Sequence, residues 1–414
     1  MSMNPYDGFL ERGYVAQCTD EAALKSLFDS ETVLGYIGFD PTATSLHVGS
    51  LVPILSLVHL QRAGHRPIVL VGGGTGMIGD PSGKTEMRNI LSLEVLAQNA
   101  LAIKAQLSRF LEFGPSQAIM ANNADWLAPL NYIEFLRDIG RHFSVNRMLA
   151  AESVKLRLEQ EQGLSFIEFN YALLQAYDFM HLAKTMGCRL QMGGNDQWGN
   201  IVAGVDLTRR MLGKTVYGLT FPLITTSTGQ KMGKTASGAV WLDAERTSVY
   251  DFYQYWINTT DEDVPRFLRL FTFLPMKEVE ELERLTGADI RQAKQVLAQE
   301  VTKIVHGEAE ARAASAAAAA AFGAPGVGDA EGVPTLSLPR ARLAAGVPAF
   351  QLFVDTGLCK SNSEARRLVA QGGAYVGETR LTAFDQTVTL NMASQDGALW
   401  LRAGKKKYHR VVGE

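Results

Sequence analysis

Apolar residues in the first part of the chain fall into short continuous runs separated by a stretch with helical spacing. Residues 32–40 and 67–72 are continuous apolar runs that predict buried strands, and residues 49–63 between them predict a helix. A strand, a helix and a second strand at this spacing form a βαβ unit, so we expect a parallel sheet. Because ligands bind beyond the carboxyl ends of parallel strands, the polar residues at 38–47 and 72–84 are candidates for a binding site.

Most of the remaining chain has helical spacing. Residues 93–112, 128–182 and 245–310 predict helices, and residues 187–193 predict a further strand. Residues 311–321, which follow, are almost all alanine, the residue with the highest helix propensity. The next residues are rich in Gly and Pro and have no periodicity, which predicts a linker before a small final domain.

Composition is that of an ordinary globular protein, with 46% apolar and 20% charged residues. No apolar run approaches the roughly 20 residues of a membrane helix, and no secretory signal is apparent, so we expect a cytoplasmic protein without membrane attachment. The three cysteines are far apart and do not have the spacing of metal ligands. Net charge is −3, yet residues 340–414 contain 11 Lys and Arg against six Asp and Glu. This end of the chain either contacts a polyanion or is simply an unevenly charged surface.

A histidine stands at the start of the helix predicted after the first strand. His47 is followed two residues later by Gly49, and Thr42 adds a hydroxyl nearby. The amides and the dipole of a helix N-terminus favour an anion, and an imidazole can donate to a phosphate. The pattern therefore suits polyphosphate, although alone it also fits a histidine that only caps or packs.

Two lysines on a loop form a second candidate phosphate site. Lys231 and Lys234 are three residues apart and are flanked by turn residues. Such a loop can close over a phosphate chain and neutralise the charge that grows on a leaving pyrophosphate. Considered alone, an exposed basic loop would be the better interpretation.

Together the two clusters resemble the paired HIGH and KMSKS signatures of the class I aminoacyl-tRNA synthetases, in the same order. Four longer strings, which begin at Gly38, Gly79, Asn170 and Gln191, resemble the bacterial tyrosyl-tRNA synthetase family. This resemblance covers nearly the whole chain. It implies an enzyme that activates L-tyrosine with ATP to tyrosyl-adenylate and pyrophosphate, and then transfers tyrosine to the 3′ end of tRNA(Tyr).

The resemblance also implies an α/β fold with a Rossmann-like parallel-sheet catalytic domain, a helical domain and a small α+β S4 RNA-binding domain. We expect these domains at residues 1–225 (with a helical insertion at about 125–185), 226–321 and 345–414, with a linker at 322–344. It further implies a homodimer with its contact near 125–165. Mg²⁺ would enter with ATP, and the protein itself would bind no metal.

The string that begins at Gly79 superficially matches a P-loop. The P-loop pattern requires glycine where this chain has Ile78, so we reject that interpretation. The resemblance implies instead that Asp80 faces the amino group of tyrosine. Lys84 and Arg88 would reach the pyrophosphate.

A polar stripe runs along the predicted helix around 166–182. Tyr171, Gln175 and Asp178 are spaced i, i+4 and i+7, which places them on one face among apolar neighbours. Buried polar groups need polar partners, so the stripe is either an internal hydrogen-bond network or the lining of a pocket for a small polar ligand. The resemblance implies the pocket: Tyr171 and Gln175 would hold the amino group of tyrosine, and Asp178 with Tyr36 would bind its hydroxyl.

The resemblance assigns the other predicted site residues. Gln197 would lie near the reacting carboxylate. The residues expected to contact ATP are Gly38, Asp40, Thr42, His47, Gly194, Asp196, Ile224, Lys231 and Lys234. The residues expected to act in catalysis are Thr42, His47, Ser50, Lys84, Arg88, Lys231 and Lys234.

The final domain begins with a predicted capped helix. Ser361 and Glu364 form a capping-box pattern, and Gly372 and Gly373 end the helix. The domain resembles the S4 RNA-binding domain of bacterial tyrosyl enzymes, and basic groups on such a surface suit phosphate contact. The residues expected to bind RNA are Arg366, Arg367, Lys405, Lys406 and Lys407.

Two residues depart from the signatures. Ser50 replaces the second histidine of HIGH, and Gly233 replaces the usual serine of KMSKS. The Ser50 hydroxyl can donate to ribose or phosphate, although ATP contact is expected to be weaker. Two rivals remain at this point: a tryptophanyl enzyme of the same class, which the Tyr36 and Asp178 pair disfavours, and a non-enzymatic RNA-binding protein.

Overall fold

Two compact units make up the chain in a computed structural model. The structure describes residues 4–82, 91–151, 154–155, 158–159, 164–229, 232–235, 238–322, 334–394, 397–404 and 407–414. The first unit comprises Met1–Asp243 with Thr260–Ile290, and the second comprises Ala244–Thr259 with Arg291–Glu414. Among the described residues, no helix is long and apolar enough to span a membrane.

A six-stranded sheet, with spatial order β1-β6-β5-β2-β3-β4, forms the centre of the first unit. Its strands are β1 Gln17–Cys18, β2 Leu34–Phe39, β3 Arg66–Val71, β4 Ile119–Asn122, β5 Leu190–Gly194 and β6 Tyr217–Phe221. The β1–β6 pair is antiparallel and the other pairs are parallel. The strands predicted at 32–40, 67–72 and 187–193 are therefore confirmed, and so is the parallel βαβ unit.

The predicted helices are confirmed in outline. In chain order they are α1 Pro5–Glu11, α2 Glu21–Ser30, α3 Leu51–Arg62, α4 Leu93–Leu107, α5 Ala124–Leu127, α6 Tyr132–Asp138, α7 Val145–Ala150, α8 Phe166–Thr185, α9 Trp198–Leu212, α10 Val249–Ile257, α11 Val264–Phe271, α12 Met276–Glu283, α13 Ile290–His306, α14 Glu308–Phe322, α15 Arg340–Ala345, α16 Ala349–Asp355 and α17 Asn362–Ala370. Helix α8, which carries the polar stripe, begins at a capping box formed by Ser165 and Glu168.

The register of the sheet brings the polar segments to one edge. Phe39 of β2 pairs with Val71 of β3, and Gly194 of β5 pairs with Phe221 of β6, so these parallel strands end together. Strand β3 is buried along almost its whole length, as expected for a strand covered on both faces. The segments that follow β2, β3 and β5 therefore meet beyond the carboxyl edge.

The second unit contains α10, α13 and α14 and a small tail domain. The alanine-rich α14 packs on the aromatic α10, where the Tyr253 hydroxyl donates to Ser315 Oγ at 3.3 Å. The tail has a five-stranded sheet of order β12-β11-β14-β15-β9. Its strands are β9 Thr335–Leu338, β11 Ala374–Val376, β12 Thr379–Arg380, β14 Leu399–Ala403 and β15 Lys407–Gly413, and the short pair β10 Val347–Pro348 and β13 Thr387–Val388 lies beside it.

The structure differs from the sequence prediction at the end of the linker. Strand β9 pairs in parallel with β15, and α15 follows directly, so the end of the predicted linker 322–344 is structured. A four-residue strand beside a Gly/Pro-rich stretch shows too little periodicity to predict. Residues 323–333 lie outside the described part, and the other domain limits stay predictions.

Candidate active site

A cavity of about 350 Å³ lies beyond the carboxyl edge of the six-stranded sheet. It brings together thirteen of the residues predicted from the sequence. They are Tyr36, Gly38, Asp40, Thr42, His47, Ser50, Asp80, Tyr171, Gln175, Asp178, Gly194, Asp196 and Gln197. Ile224 is not among the lining residues. Lys84, Arg88 and Lys231 lie outside the described residues, and only the backbone of Lys234 is described.

One end of the cavity is formed by a buried carboxylate with two fixed donors. Asp178 on α8 is 2% exposed; its Oδ2 accepts from Asn123 Nδ2 at 2.9 Å and its Oδ1 accepts from Trp126 Nε1 at 2.7 Å. Burial raises the pKa of Asp178 to about 7, and the hydrogen bonds from Asn123 and Trp126 oppose that rise. The carboxylate is therefore held in position for a further donor.

Sequence reasoning missed both of these donors. Asn123 comes directly after β4, and its Oδ1 also accepts from the Gly74 amide at 2.7 Å. Trp126 is on the four-residue helix α5 and stacks on His181 with ring centroids 4.5 Å apart. For Asn123 the one available signal was its place as a polar residue after a strand. For Trp126 there was no signal, because a four-residue helix has no periodicity.

Three polar side-chain atoms that are buried among the cavity-lining residues have no hydrogen-bond partner in the described structure. They are Tyr36 Oη, Gln175 Oε1 and Gln191 Oε1. Tyr36 on β2 is paired in register with Gln191 on β5. Burial, with the neighbouring Asp178 carboxylate, raises the pKa of Tyr36 well above its ordinary value, so its hydroxyl keeps its proton. Unpaired buried polar groups that line one cavity indicate a polar ligand.

A second set of hydrogen bonds fixes two carboxylates on the other side of the cavity. Tyr171 Oη donates to Asp40 Oδ2 at 3.2 Å, and Thr75 Oγ1 donates to Asp40 Oδ1 at 2.8 Å. Gln197 Nε2 donates to Asp80 Oδ2 at 2.6 Å. A carboxylate held as Asp80 is can bind a cationic amine.

The first signature begins the helix that follows β2. The His47 ring accepts, at Nδ1, from the Gly49 amide at 3.0 Å, where a short 3₁₀ turn leads into α3. His47 thus caps the turn, as one sequence interpretation held, and it also lines the cavity. Ser50 precedes α3 and makes no capping hydrogen bond with its side chain.

The segment that follows the second signature is joined to the first signature by backbone hydrogen bonds. The Val48 amide donates to Val240 O at 3.0 Å, and the Leu242 amide donates to Leu46 O at 2.9 Å. Between them the His47 and Trp241 rings meet edge to face, with centroids 6.2 Å apart. The two signatures, distant in sequence, are adjacent in the fold.

Gly233 has a backbone conformation that explains its departure from the signature. Its φ is +81°, in the left-handed region that side chains disfavour. An added Cβ would lie 2.8 Å from Val48 Cγ2 and 3.3 Å from His47 Nδ1. The serine of the usual signature would therefore be strained here.

A second cavity of about 730 Å³ adjoins the first, since Asp196 lines both. It lies among α7, α8 and α9 and is lined by aliphatic, aromatic, acidic and basic side chains. These include Phe143, Arg147, Phe169, Trp198 and Arg210.

The two predicted arginines of the tail differ in their surroundings. Both Arg366 and Arg367 are exposed on α17. The Arg366 guanidinium lies 4.6 Å from the centroid of the Phe384 ring, whereas no ring contact is found for Arg367 among the described residues. Lys407 is exposed at the start of β15, and Lys405 and Lys406 lie outside the described residues.

Comparison with known proteins extends over both units. The family model for tRNA synthetases class I (W and Y) matches residues 30–323, and that for the Tyrosine–tRNA ligase SYY-like C-terminal domain matches residues 329–411. The chain is 58% identical to the tyrosine–tRNA ligase of Desulfatibacillum aliphaticivorans, over 100% of this chain and 99% of the relative. It is 52% identical to that of Clostridium botulinum (strain 657 / Type Ba4), over all of both chains.

Solved structures show the same fold. A C-terminally truncated Aspergillus nidulans mitochondrial tyrosyl-tRNA synthetase is 32% identical, with a TM-score of 0.67 over 75% of this chain and 92% of that one. A tyrosyl-tRNA synthetase from Archaeoglobus fulgidus, in complex with L-tyrosine, is 17% identical, with a TM-score of 0.56 over 75% of this chain and 99% of that one. The latter likeness concerns the fold alone.

Proposed function

The chain belongs to the class I tRNA synthetases and, among them, to the tyrosine–tRNA ligases, and from this premise we propose which residues bind each substrate and which act in catalysis. Its substrates are tyrosine, ATP and tRNA. One observation carries the proposal. The buried carboxylate of Asp178 and the buried, unpaired hydroxyl of Tyr36 line the same cavity.

Asp178 and Tyr36 bind the phenol hydroxyl of tyrosine. Asn123 and Trp126 already donate to the two oxygens of Asp178, so the carboxylate remains an acceptor with a fixed orientation. A phenylalanine in this place would leave Asp178 and Tyr36 without that partner. Tyrosyl-tRNA synthetase is itself the established example of discrimination by a hydroxyl-binding site of this kind.

The amino group of tyrosine lies near Asp80, Tyr171 and Gln175. The unpaired Gln175 Oε1 is an available acceptor, and Gln197 holds the Asp80 carboxylate by its 2.6 Å hydrogen bond. Gln197 is also placed near the carboxylate of the bound amino acid. This arrangement would fix the reacting carboxylate at the border with the ATP site.

ATP occupies the part of the cavity next to the two signatures. Gly38, Asp40, Gly194 and Asp196 lie along the nucleoside, and Ile224 contacts the adenine through its backbone. Thr42, His47 and Ser50 contact the phosphates. Lys84, Arg88, Lys231 and Lys234 neutralise the pyrophosphate.

The tyrosine carboxylate attacks the α-phosphorus in line, the bond to the bridging oxygen breaks, and pyrophosphate leaves with the electron pair. A carboxylate is already ionised at neutral pH, so this step needs no general base. Positioning and charge stabilisation therefore supply the catalysis. A hydroxyl of the terminal ribose of tRNA then attacks the adenylate carbonyl. The bond from that carbon to the phosphate oxygen breaks, AMP leaves with the electron pair, and the hydroxyl proton passes to solvent.

Mg²⁺ enters on the phosphates of ATP, as part of the substrate. Among the described residues, no three His, Cys, Asp or Glu side chains are grouped as a metal site would require. Mg²⁺ commonly keeps several waters and binds substrate phosphates with only one or two carboxylates. In that mode the ion would shield charge between the phosphates.

The acceptor end of tRNA approaches through the second cavity. Asp196 is common to both cavities, and the walls of the second offer Trp198 and Phe169 as stacking surfaces. Arg147 and Arg210 are cations in the same walls, and both lie within 4.0 Å of the Asp206 carboxylate. Aromatic faces with basic groups suit single-stranded nucleic acid. The tail domain contributes phosphate contacts through Arg366, Arg367 and Lys405–Lys407.

Two copies of the chain associate through the helices between residues 132 and 167. Helices α6 and α7 pack with α8 and α9 in one apolar cluster, yet they leave large apolar side chains in solvent. The most exposed are Ile133 at 70%, Phe166 at 66%, Tyr132 at 58% and Val145 at 57%. Apolar patches of this kind mark protein interfaces.

An ATP–pyrophosphate exchange assay with each of the twenty amino acids tests the assignment of the cavity. Tyrosine alone should support exchange at low concentration. Exchange with tryptophan and not tyrosine would refute the paired role of Asp178 and Tyr36, because an indole N–H can donate to a carboxylate but offers no acceptor to the Tyr36 hydroxyl.

A further inference from the structure

Helix α4 buries a face on which two of the five residues are amides. Leu96, Asn99, Ile103, Gln106 and Leu107 are its buried residues, at spacings of three and four that place them on one side. A buried carboxamide is unfavourable unless its polar atoms are paired. Neither amide belongs to the residues assigned to a substrate.

Both amides bind the segment between Asp40 and His47. Pro41 is the first residue of the segment, and Asn99 Nδ2 donates to its carbonyl oxygen at 3.0 Å. Gln106 binds its other end, where Gln106 Oε1 accepts from the Leu46 amide at 2.9 Å and Gln106 Nε2 donates to Ser45 Oγ at 3.1 Å. The segment 41–46 is therefore attached to α4 at each end.

Apolar contacts also connect the segment 41–46 to α4. An added Cβ on Gly76 would lie 3.2 Å from Pro41 Cδ and 3.3 Å from Leu96 Cδ2, so the turn after β3 fits tightly between the segment and α4. Ile103, between the two amides, lines the cavity. One face of α4 thus reaches both the segment and the space assigned to ATP.

We propose that Asn99 and Gln106 are positioning residues for ATP activation. They act through Thr42, which follows the Pro41 anchor, and through His47, which follows the Leu46 anchor. Because Gln106 binds the residue directly before His47, it fixes the imidazole relative to the phosphates. This inference rests on the proposed phosphate contacts of Thr42 and His47.

The test replaces each amide with an apolar side chain of similar size, in Gln106→Met and Asn99→Leu. Leu107→Val on the same face is the matched control, since it is buried but makes no described polar contact with segment 41–46. Pyrophosphate exchange gives kcat and the KM for ATP, equilibrium dialysis gives the tyrosine Kd, and urea unfolding gives stability. Each variant is also combined with His47→Ala and, separately, with Tyr36→Phe.

Gln106→Met should lower kcat/KM for ATP by about tenfold, with the tyrosine Kd unchanged, as expected when buried hydrogen bonds that position a group are lost. Its effect should be smaller in the His47→Ala background and undiminished in the Tyr36→Phe background. A full effect in the His47→Ala background, or an equal loss in Leu107→Val at matched stability, would overturn the inference. If His47→Ala itself left exchange unchanged, the proposed role of His47 would fail instead.

Discussion

Asp178 accepts hydrogen bonds from two side chains, yet burial still raises its pKa to about 7. At the scale of single residues, the proposed selection of tyrosine depends on this balance. The unpaired Tyr36 hydroxyl supplies the second polar group at the same end. Both side chains are positioned before any substrate arrives, which lowers the cost of binding.

Removal of the hydroxyl-binding groups should weaken the preference for tyrosine. Tyr36→Phe should cost a modest ~0.5–1.5 kcal/mol in kcat/KM for tyrosine, as for one neutral hydrogen bond, and Asp178→Ala should cost more because a charged acceptor is lost. Exchange kinetics with tyrosine and phenylalanine measure the effect. An unchanged tyrosine/phenylalanine ratio in both variants would contradict the assignment.

The raised pKa of Asp178 predicts a pH dependence of tyrosine affinity. In the proposed complex the phenol hydroxyl donates to the ionised carboxylate. Below about pH 7 the free protein increasingly holds Asp178 protonated. Tyrosine Kd should therefore rise as pH falls through 7, by at most about tenfold per pH unit. Calorimetry between pH 5.5 and 8.5 measures this, with Asp178→Asn as the control. A slope that persists in the control would exclude Asp178 as its origin.

At the scale of elements, the two signatures are parts of one small structure. Segments 46–48 and 240–242 form an antiparallel bridge, and the hairpin of β7 Lys234–Thr235 and β8 Gly238–Ala239 precedes it. Gly233 lies where this hairpin meets Val48. The close approach depends on a glycine that the usual signature lacks.

Gly233→Ala should slow activation far more than Gly229→Ala. Both glycines have φ near +80°, so both changes strain the backbone, by about 1 kcal/mol. An added Cβ at Gly229 meets nothing within 4 Å, whereas at Gly233 it meets Val48. Single-turnover adenylation rates test the difference, and Val48→Ala should partly restore the Gly233→Ala rate. Equal effects of the two glycine variants would contradict the steric argument.

The elements that the sequence predicts well are those with strong periodicity. Strands β2 and β3 could be predicted because buried parallel strands are continuous apolar runs, and the stripe of α8 because three polar side chains share one face. Asn123 and Trp126 could not be predicted, because β4 and α5 are too short to show a period. The amides of α4 could have been noticed as polar residues on an apolar face, but their partner segment could be identified only in three dimensions.

At the scale of the whole molecule, the tail domain has a core of its own. Its buried cluster consists only of residues between Leu338 and Val411. Helix α17 begins with Ser361 Oγ accepting from the Glu364 amide, while the Glu364 carboxylate accepts from the Lys360 amide. Removal of the tail is therefore expected to leave the rest of the chain folded.

Truncation after about residue 325 should spare tyrosine activation and impair tRNA charging. The tail carries an excess of basic residues, and phosphate contacts supply much of RNA affinity in a salt-dependent way. Exchange and charging rates of full-length and truncated protein at two salt concentrations test this. Arg367→Ala should reproduce part of the loss without a change in stability, unlike Arg366→Ala, which also removes the contact with Phe384. Full charging by the truncated protein under dilute conditions would exclude an RNA role for the tail.

A charge placed in the exposed apolar patch should separate the proposed dimer. Phe166→Asp should shift the mass in solution towards that of one chain, since burying an unpaired carboxylate in an interface is unfavourable. Leu101→Asp is the matched control, because Leu101 is 68% exposed but lies on α4, outside residues 132–167. Sedimentation equilibrium reports the mass. Dissociation by both changes, or by neither, would argue against this interface.

The bridge between the signatures also limits how the chain can change in length. Surface loops usually tolerate insertions and deletions, because little of their backbone is fixed. Here the Met232 amide donates to Ile224 O at 3.0 Å, and the Val240 amide donates to Gly233 O at 2.9 Å, just before the bridge to Val48. A residue gained or lost between Val240 and Leu242, where the bridge itself lies, would shift Trp241 out of register with His47. The bridge segment is therefore as constrained in length as a strand of the central sheet.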